Sequence, residues 1–214
     1  MKDIPLFTTE AGVASLLLQE IPYRKEAYIR VRDVQPGKLK ELLDECVSFC
    51  RMVGAEKIFA GDHEQLMCYP LHFSVIQMRG TVVSNEEEIA HLFPVTQATV
   101  SEWRKLCNRR LSDVDGAATL TAADEKKILS SGGAYYVHRS GKMLGAGWME
   151  GGKLLLICAV EPGSGETVLR TLLSLSEEEQ AVLEVASTNM RAIRLYERMG
   201  FIRVSEVQRW YKIF

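Results

Sequence analysis

The chain has 214 residues, 47% of them apolar and 25% charged, with a formal net charge of −2. That is the profile of one large or two small globular domains, with enough apolar side chain for a core that needs neither disulfide nor metal. The slightly acidic balance argues against a nucleic-acid partner or a membrane-surface role, because holding phosphates takes a basic excess.

No apolar run approaches the ~20 residues of a membrane span, and residues 1–20 carry acids early instead of the basic start of a secretory leader. The expectation is a cytoplasmic protein with reduced thiols. Its cysteines at 46, 50, 68, 107 and 158 form an odd set without a CxxC pair. Cys46 and Cys50, four apart on a helical stripe, are read as small buried apolar residues in preference to a metal or redox pair.

Residues 27–34 (AYIRVRDV) alternate apolar and polar side chains as a half-buried strand does. Pro36-Gly37 then punctuates. Residues 38–53 place Leu39, Leu42, Leu43, Cys46, Val47 and Cys50 on a helical stripe. Residues 56–60 return as a strand, so 27–60 is expected to form a βαβ unit with parallel strands. A further strand is expected over 72–78, helices over 85–93 and 97–111 with Pro94 between them, and a short helix from Thr121 to 129.

Three strands, 134–139, 142–150 and 153–160, are joined at Ser140-Gly141 and Gly151-Gly152 as an antiparallel meander. The third carries LLLICAV, apolar throughout, so it is expected to lie centrally with both faces covered. A helix over 165–175, a strand over 181–187, a helix over 190–199 and two strands near 201–204 and 208–214 complete the chain. The fold class is α/β: a mixed sheet with helices on both faces. Val34-Gln35-Pro36-Gly37 and Val160-Glu161-Pro162-Gly163 each end a strand and open a helix. Either residues 1–70 are a degenerate half-copy of the C-terminal fold, or two turns converged on good turn residues.

The densest motif is Asn189-x-x-Ala192-x-x-Leu195-Tyr196-Glu197-x-x-Gly200-Phe201. Asn189 and Tyr196 are two helical turns apart, on one face about 10 Å from each other, with the small Ala192 between. An amide-bearing arm can lie along such a face, bound by an Asn and ending at a phenol. The plainer reading is an Asn that caps the helix and a Tyr that packs in the core.

This motif resembles the last conserved motif of the GNAT acetyltransferase superfamily, and the preceding Leu183-Glu184-Val185 is similar to that of its ribosomal-protein N-terminal alanine acetyltransferases. The element order from about residue 72 to 214 fits as well. The resemblance implies a GNAT-like domain over 71–214 with an N-terminal α/β unit over 1–70, and an acetyl-coenzyme A-dependent N-acetyltransferase. Its acetyl group would pass directly to an amine acceptor, small molecule or peptide. It implies that Asn189 and Ala192 touch the pantetheine arm, that Tyr196 is the general acid, and that Glu184 is the general base. Glu184 otherwise reads as a solvated or salt-bridged strand carboxylate; Glu150, Glu161 and His138 are weaker candidates.

Gly163-Ser164-Gly165-Glu166-Thr167 sits between the apolar strand and the next helix, where freed N–H groups cradle a pyrophosphate. The pantetheine is expected beside Ile157, Cys158, Ala159 and Val160. The loop departs from the family's Arg/Gln-x-x-Gly-x-Gly/Ala pattern: Val160 stands where the Arg or Gln belongs, and Glu166 adds negative charge. The alternative is therefore a non-catalytic binding or regulatory protein on the same scaffold. No metal-ligand spacing links His63, His72, His91 and His138, and no metal is expected.

Overall fold

The computed structural model describes residues 1–81 and 90–214. Its chain divides into two compact units, Met1–Val75 with Glu206–Phe214, and Ile76–Ser205.

The first unit opens with a hairpin, β1 (Ile4–Thr8) and β2 (Gly12–Leu17), that the alternation pattern does not reveal. A helical turn α1 (Ile21–Arg24) leads to β3 (Glu26–Val34), helix α2 (Leu39–Met52) and β4 (Lys57–Gly61). β2 pairs antiparallel with β1 and β3, and β4 runs parallel to β3 from Glu26↔Lys57 to Arg30↔Gly61. The expected βαβ unit is thus present, preceded by two strands. The stripe of α2 buries Leu42, Leu43, Cys46 and Cys50 against Ile29, Val31 and Ile58. Burying each such aliphatic side chain contributes about 1.5–3 kcal/mol.

The next strand, β5 (Leu71–Thr81), begins in the first unit and carries the chain into the second. There follow β6 (His91–Pro94), α3 (Val100–Leu111), α4 (Glu125–Ser131), the meander β7 (Ala134–Arg139), β8 (Lys142–Glu150) and β9 (Lys153–Ala159), then α5 (Gly165–Leu173), β10 (Gln180–Ala186), α6 (Met190–Arg198) and β11 (Ile202–Lys212). The strand order in this unit is β5-β10-β9-β8-β7-β6.

Both faces are covered. Val168, Leu172, Ile193 and Tyr196 of α5 and α6 pack on Leu144, Leu154 and Leu183, while Trp103 and Cys107 of α3 and Ile128 of α4 pack on Ala146, Trp148 and Cys158. Helix α5 lies so close to β8 that a Cβ on Gly145 would meet the Val168 side chain at 2.7 Å. The glycines of Gly145-Ala146-Gly147 therefore serve packing. Among the described residues, no helix is long and apolar enough to cross a membrane.

Three expectations need correction. The helix expected over 85–93 lies in part outside the described residues; its described end is strand β6, antiparallel to β7 through His91↔His138 and Leu92↔Val137. A short edge strand ending at a proline carries too few apolar positions to show its period. The two strands expected at the C-terminus are one, β11. The domain boundary expected at residue 70 assigned the whole C-terminus to the second unit. Instead Glu206–Phe214 belongs with the first, because Tyr211 and Lys212 pair with Ala60 and Phe59 of β4.

The echo between Val34–Gly37 and Val160–Gly163 has a topological counterpart. Each unit holds three antiparallel strands, then a helix, then a strand parallel to the last of the three. Gly37 and Gly163 both adopt positive φ, 77° and 82°. In pairing the two differ: β3 and β4 remain paired over five positions, whereas β9 and β10 pair only at Lys153↔Val182 and Leu154↔Leu183.

Candidate active site

That short pairing shapes the site. β9 stays bonded to β8 as far as Ala159, and β10 continues to Ala186, but beyond Leu154 and Leu183 no further pair joins them among the described residues. Leu155 is an extra residue against β8, since Trp148 faces Leu156 and Met149 faces Leu154. Such a bulge bends a strand away from its neighbour. The facing edges of β9 and β10 are thus left with backbone donors and acceptors for a ligand.

A cleft of about 750 Å³ lies at the C-terminal end of β9. Ile157, Cys158, Ala159 and Val160 line it from the strand, and Gly163, Gly165 and Glu166 from the loop and the start of α5. Asn189, Ala192 and Tyr196 line it from α6. Ten of the residues singled out in the sequence therefore meet at one place.

Local forces explain how α6 presents its motif. Asn189 caps the helix: its Oδ1 accepts the N–H of Ala192 at 3.2 Å. That bond aims the carboxamide and leaves its two N–H donors without a partner among the described residues. At the other end Gly200, at φ 84°, turns the chain out of the helix, and the N–H of Phe201 returns to the carbonyl of Tyr196 at 2.9 Å. Phe201 then packs on Tyr196, ring centroids 6.0 Å apart. The Gly-Phe pair of the motif thus holds the phenol in place. Tyr196 is 6% exposed, and burial pushes its pKa up to about 12. Its hydroxyl has no hydrogen-bond partner among the described residues. The capping and core-packing readings of Asn189 and Tyr196 therefore hold, and both residues line the cleft besides.

At the loop, the first bond of α5 runs from the N–H of Val168 to Ser164. The N–H groups of Gly165, Glu166 and Thr167 remain unspent among the described residues, a site suited to an anion. Gly165 lies against α6, where a Cβ would sit 3.2 Å from Leu195. Two expected contacts differ. The buried Ser164 donates its hydroxyl to the carbonyls of Leu144 and Glu161 at 2.7 and 2.8 Å, which anchors the loop on β8 instead of facing a ligand. Thr167 lies outside the cleft lining. The Glu166 carboxylate is paired with Arg170 at 2.9 Å, which offsets the negative charge it brings to the loop.

Glu184 is one residue past Leu183, at the point where β9 and β10 part, and lies outside the cleft lining. Its Oε1 is ion-paired with Lys153 at 2.9 Å.

Four arginines that sequence reasoning missed line the cleft: Arg191, Arg194 and Arg198 of α6, and Arg110 of α3. The Nη2 of Arg110 donates to the carbonyl of Val160 at 2.8 Å. The spacing of the α6 set, i, i+3, i+7, was a visible signal for one helical face. Arg110 carried no such signal, because its partner is remote in sequence. Among the described residues no three His, Cys, Asp or Glu side chains gather as metal ligands do.

The class of fold follows from this architecture and is met in solved proteins. The structure is similar to a GNAT-family acetyltransferase from Colwellia psychrerythraea, at 13% identity over 97% of this chain and 84% of that one, with a TM-score of 0.50. It is also similar to a GCN5-related N-acetyltransferase from Sphaerobacter thermophilus, at 15% identity over 95% and 77% of the two chains and a TM-score of 0.53. A third, a GCN5-related N-acetyltransferase from Anabaena variabilis, matches at 13% identity over 94% and 58% and a TM-score of 0.59. The fold is therefore GNAT-like over nearly the whole chain. At such identities the likeness is one of fold. No protein-family model and no curated protein matches the amino-acid sequence.

Proposed function

We propose that this chain transfers an acetyl group from acetyl-coenzyme A directly to the nitrogen of an amine, a small molecule or a peptide. The observation that carries the reading is the parting of β9 and β10 beside the Asn189–Tyr196 face of α6. An amide-bearing arm needs both edge donors and edge acceptors, and that gap offers them. The unspent N–H groups of Gly165, Glu166 and Thr167 suit a diphosphate, and the Asn189 carboxamide suits an amide of the arm.

Bound acetyl-coenzyme A would supply an acyl carbon activated as a thioester. The residues of the chain manage two protons. Tyr196, protonated throughout the physiological range, gives one from Oη to the departing sulfur as the C–S bond breaks, and the second proton shed by the acylated nitrogen restores its phenol. The proposed base is Glu184, which takes one from the ammonium form of the acceptor, directly or through one water, after exchanging its Lys153 partner. This last role rests on the narrower resemblance to the ribosomal-protein alanine acetyltransferases, carried by residues 183–185.

The test has two measurements. Acetyl-coenzyme A at a hundred times its dissociation constant is expected to stabilise the protein by about 2.7 kcal/mol, seen as a raised melting temperature. Release of free thiol across a panel of amines is expected to single out an acceptor class. Stabilisation without thiol release from any amine would favour a binding protein on this scaffold, and absence of both would sink the reading.

A further inference from the structure

Two cysteines at the cleft have no part in the proposed chemistry. Cys46 and Cys50 share one helix, α2, whereas Cys107 of α3 and Cys158 of β9 belong to separate elements of one core cluster. Cys158 is 5% exposed and lines the cleft, and Cys107 is fully buried behind it.

Strand and helix periods bring these two thiols together. Leu156, Cys158 and Val160 alternate along β9 onto one face, and all three join the cluster of Trp103 and Cys107 from α3. On α3, Cys107 and Arg110 are three apart on one face, and Arg110 bonds the carbonyl of Val160 at 2.8 Å. Four positions before Cys107, Trp103 Nε1 donates to the carbonyl of Tyr135 at 3.0 Å. The helix is thus pinned to the sheet on either side of Cys107. The Cys107 thiol donates to Cys158 Sγ. That bond, with the Ala146 N–H and the Arg110 charge, outweighs burial and holds the Cys158 thiol below its ordinary pKa. Cys107, as the donor, is held above its own. A nucleophilic sulfur at the opening and a protonated thiol within its reach are the parts of a peroxide-sensitive pair.

We infer that Cys107 and Cys158 are a reversible modification site: a hydroperoxide entering the cleft oxidises them to a disulfide that ties α3 to β9 and impairs the cleft for acetyl-coenzyme A. The disulfide follows from residues of this chain alone, and its effect on the coenzyme rests on the proposed function. The Cys158 thiolate attacks one peroxide oxygen and the O–O bond breaks. The departing oxygen takes the proton that Cys158 shed and leaves as water or an alcohol, and Cys158 becomes a sulfenic acid. Cys107 Sγ then attacks Cys158 Sγ, the S–O bond breaks, and hydroxide leaves with the Cys107 proton as water. The two sulfurs give up two electrons, and the O–O bond takes them. Closing the S–S bond draws the sulfurs inside their hydrogen-bonded separation, so β9 shifts towards α3 where it lines the cleft.

The test treats the folded full chain with hydrogen peroxide, alkylates the remaining thiols under non-reducing conditions and maps the peptides by mass spectrometry. A peptide pair joined through Cys107 and Cys158, released by dithiothreitol, is expected. Bound acetyl-coenzyme A should slow its formation. In the oxidised chain, acetyl-coenzyme A should bind about tenfold more weakly by its effect on melting, since small displacements at a preorganised site cost at least that much. Dithiothreitol should restore the affinity. Cys107→Ser should stop at a sulfenic acid on Cys158, trapped by a 1,3-diketone on unfolding, and the melting temperature of the untreated variant checks its fold. Absence of the joined pair from the folded natural chain overturns the inference, as does a disulfide that leaves coenzyme affinity unchanged. Failure of the reduced chain to bind acetyl-coenzyme A overturns the functional reading and the effect on the cleft with it, while the joined peptide still decides the modification site.

Discussion

Arg110 and Val160 are joined by a 2.8 Å hydrogen bond from a guanidinium on α3 to the carbonyl at the exit of β9, across fifty positions of sequence. A positive charge therefore stands beside Val160, the residue at which the sequence departs from the Arg or Gln of the GNAT loop that it resembles. Arg110→Ala is expected to weaken coenzyme A by about tenfold, with a stability loss below ~1 kcal/mol because the bond is exposed. Arg110→Lys should restore the affinity only in part, since a lysine keeps the charge but not the fork. Ligand-dependent melting of the three proteins decides; equal coenzyme affinity in all three contradicts it.

Tyr196→Phe keeps the ring that packs on Phe201 and removes the hydroxyl. The protein should fold and bind acetyl-coenzyme A, with turnover lower by ~10²–10⁴. The same substitution has a signature in stability. Burial raises the phenol to about 12, so the fold favours its protonated form. Stability present below the ordinary pKa of about 10 is then lost as pH rises from 10 to 12, by about 2–3 kcal/mol for this group. Tyr28 is raised by burial and by the Glu26 carboxylate, and adds to the alkaline loss in both proteins. Alkaline unfolding of Tyr196→Phe should be shallower than that of the natural chain; superimposable profiles would show the hydroxyl to be hydrated in the fold.

Glu184→Gln separates a base from a strand ion pair. A base gives a turnover loss that deepens as pH falls, where the free amine is scarcest. Lys153→Met frees the carboxylate without removing it, so it should cost less turnover than Glu184→Gln. Stability should change by under ~1 kcal/mol in either variant, as for exposed pairs in general. Turnover of Glu184→Gln within about threefold at every pH would leave Glu184 as the salt-bridged strand residue.

Thiol reactivity should follow burial. Cys68 is exposed and is expected to react first with an aromatic disulfide reagent. Cys46 and Cys50 are buried, with thiols pushed up to about 12 and about 11, mainly by desolvation. They should react only as the protein unfolds. Cys158 lines the cleft, and its hydrogen bond with the Cys107 thiol lowers its pKa. It should react second, and acetyl-coenzyme A should slow it without slowing Cys68. A coenzyme-insensitive second phase would argue against ligand lying along Ile157–Val160.

Legibility in the amino-acid sequence divides by the range of the interactions involved. The face shared by Asn189 and Tyr196 was legible because a helix repeats every 3.6 residues wherever it lies, and the cap at Asn189 and the turn at Gly200 need only their neighbours. The meander was legible from Ser140-Gly141 and Gly151-Gly152, whose turn chemistry is local. The hairpin β1–β2 was not, since Gly12–Leu17 is half-buried to buried throughout and loses the alternation that marks a strand.

The sequence by itself determined the helix that carries the motif, the glycine start of α5 and the mixed α/β class, because each is set by residues a few positions apart. Only the tertiary structure decided where β9 and β10 part, which unit takes Glu206–Phe214, and that Arg110 stands beside Val160. Those are questions of register and long-range packing, settled by contacts among residues tens of positions distant. A one-residue change of pairing would have redirected each of them without altering any local signal.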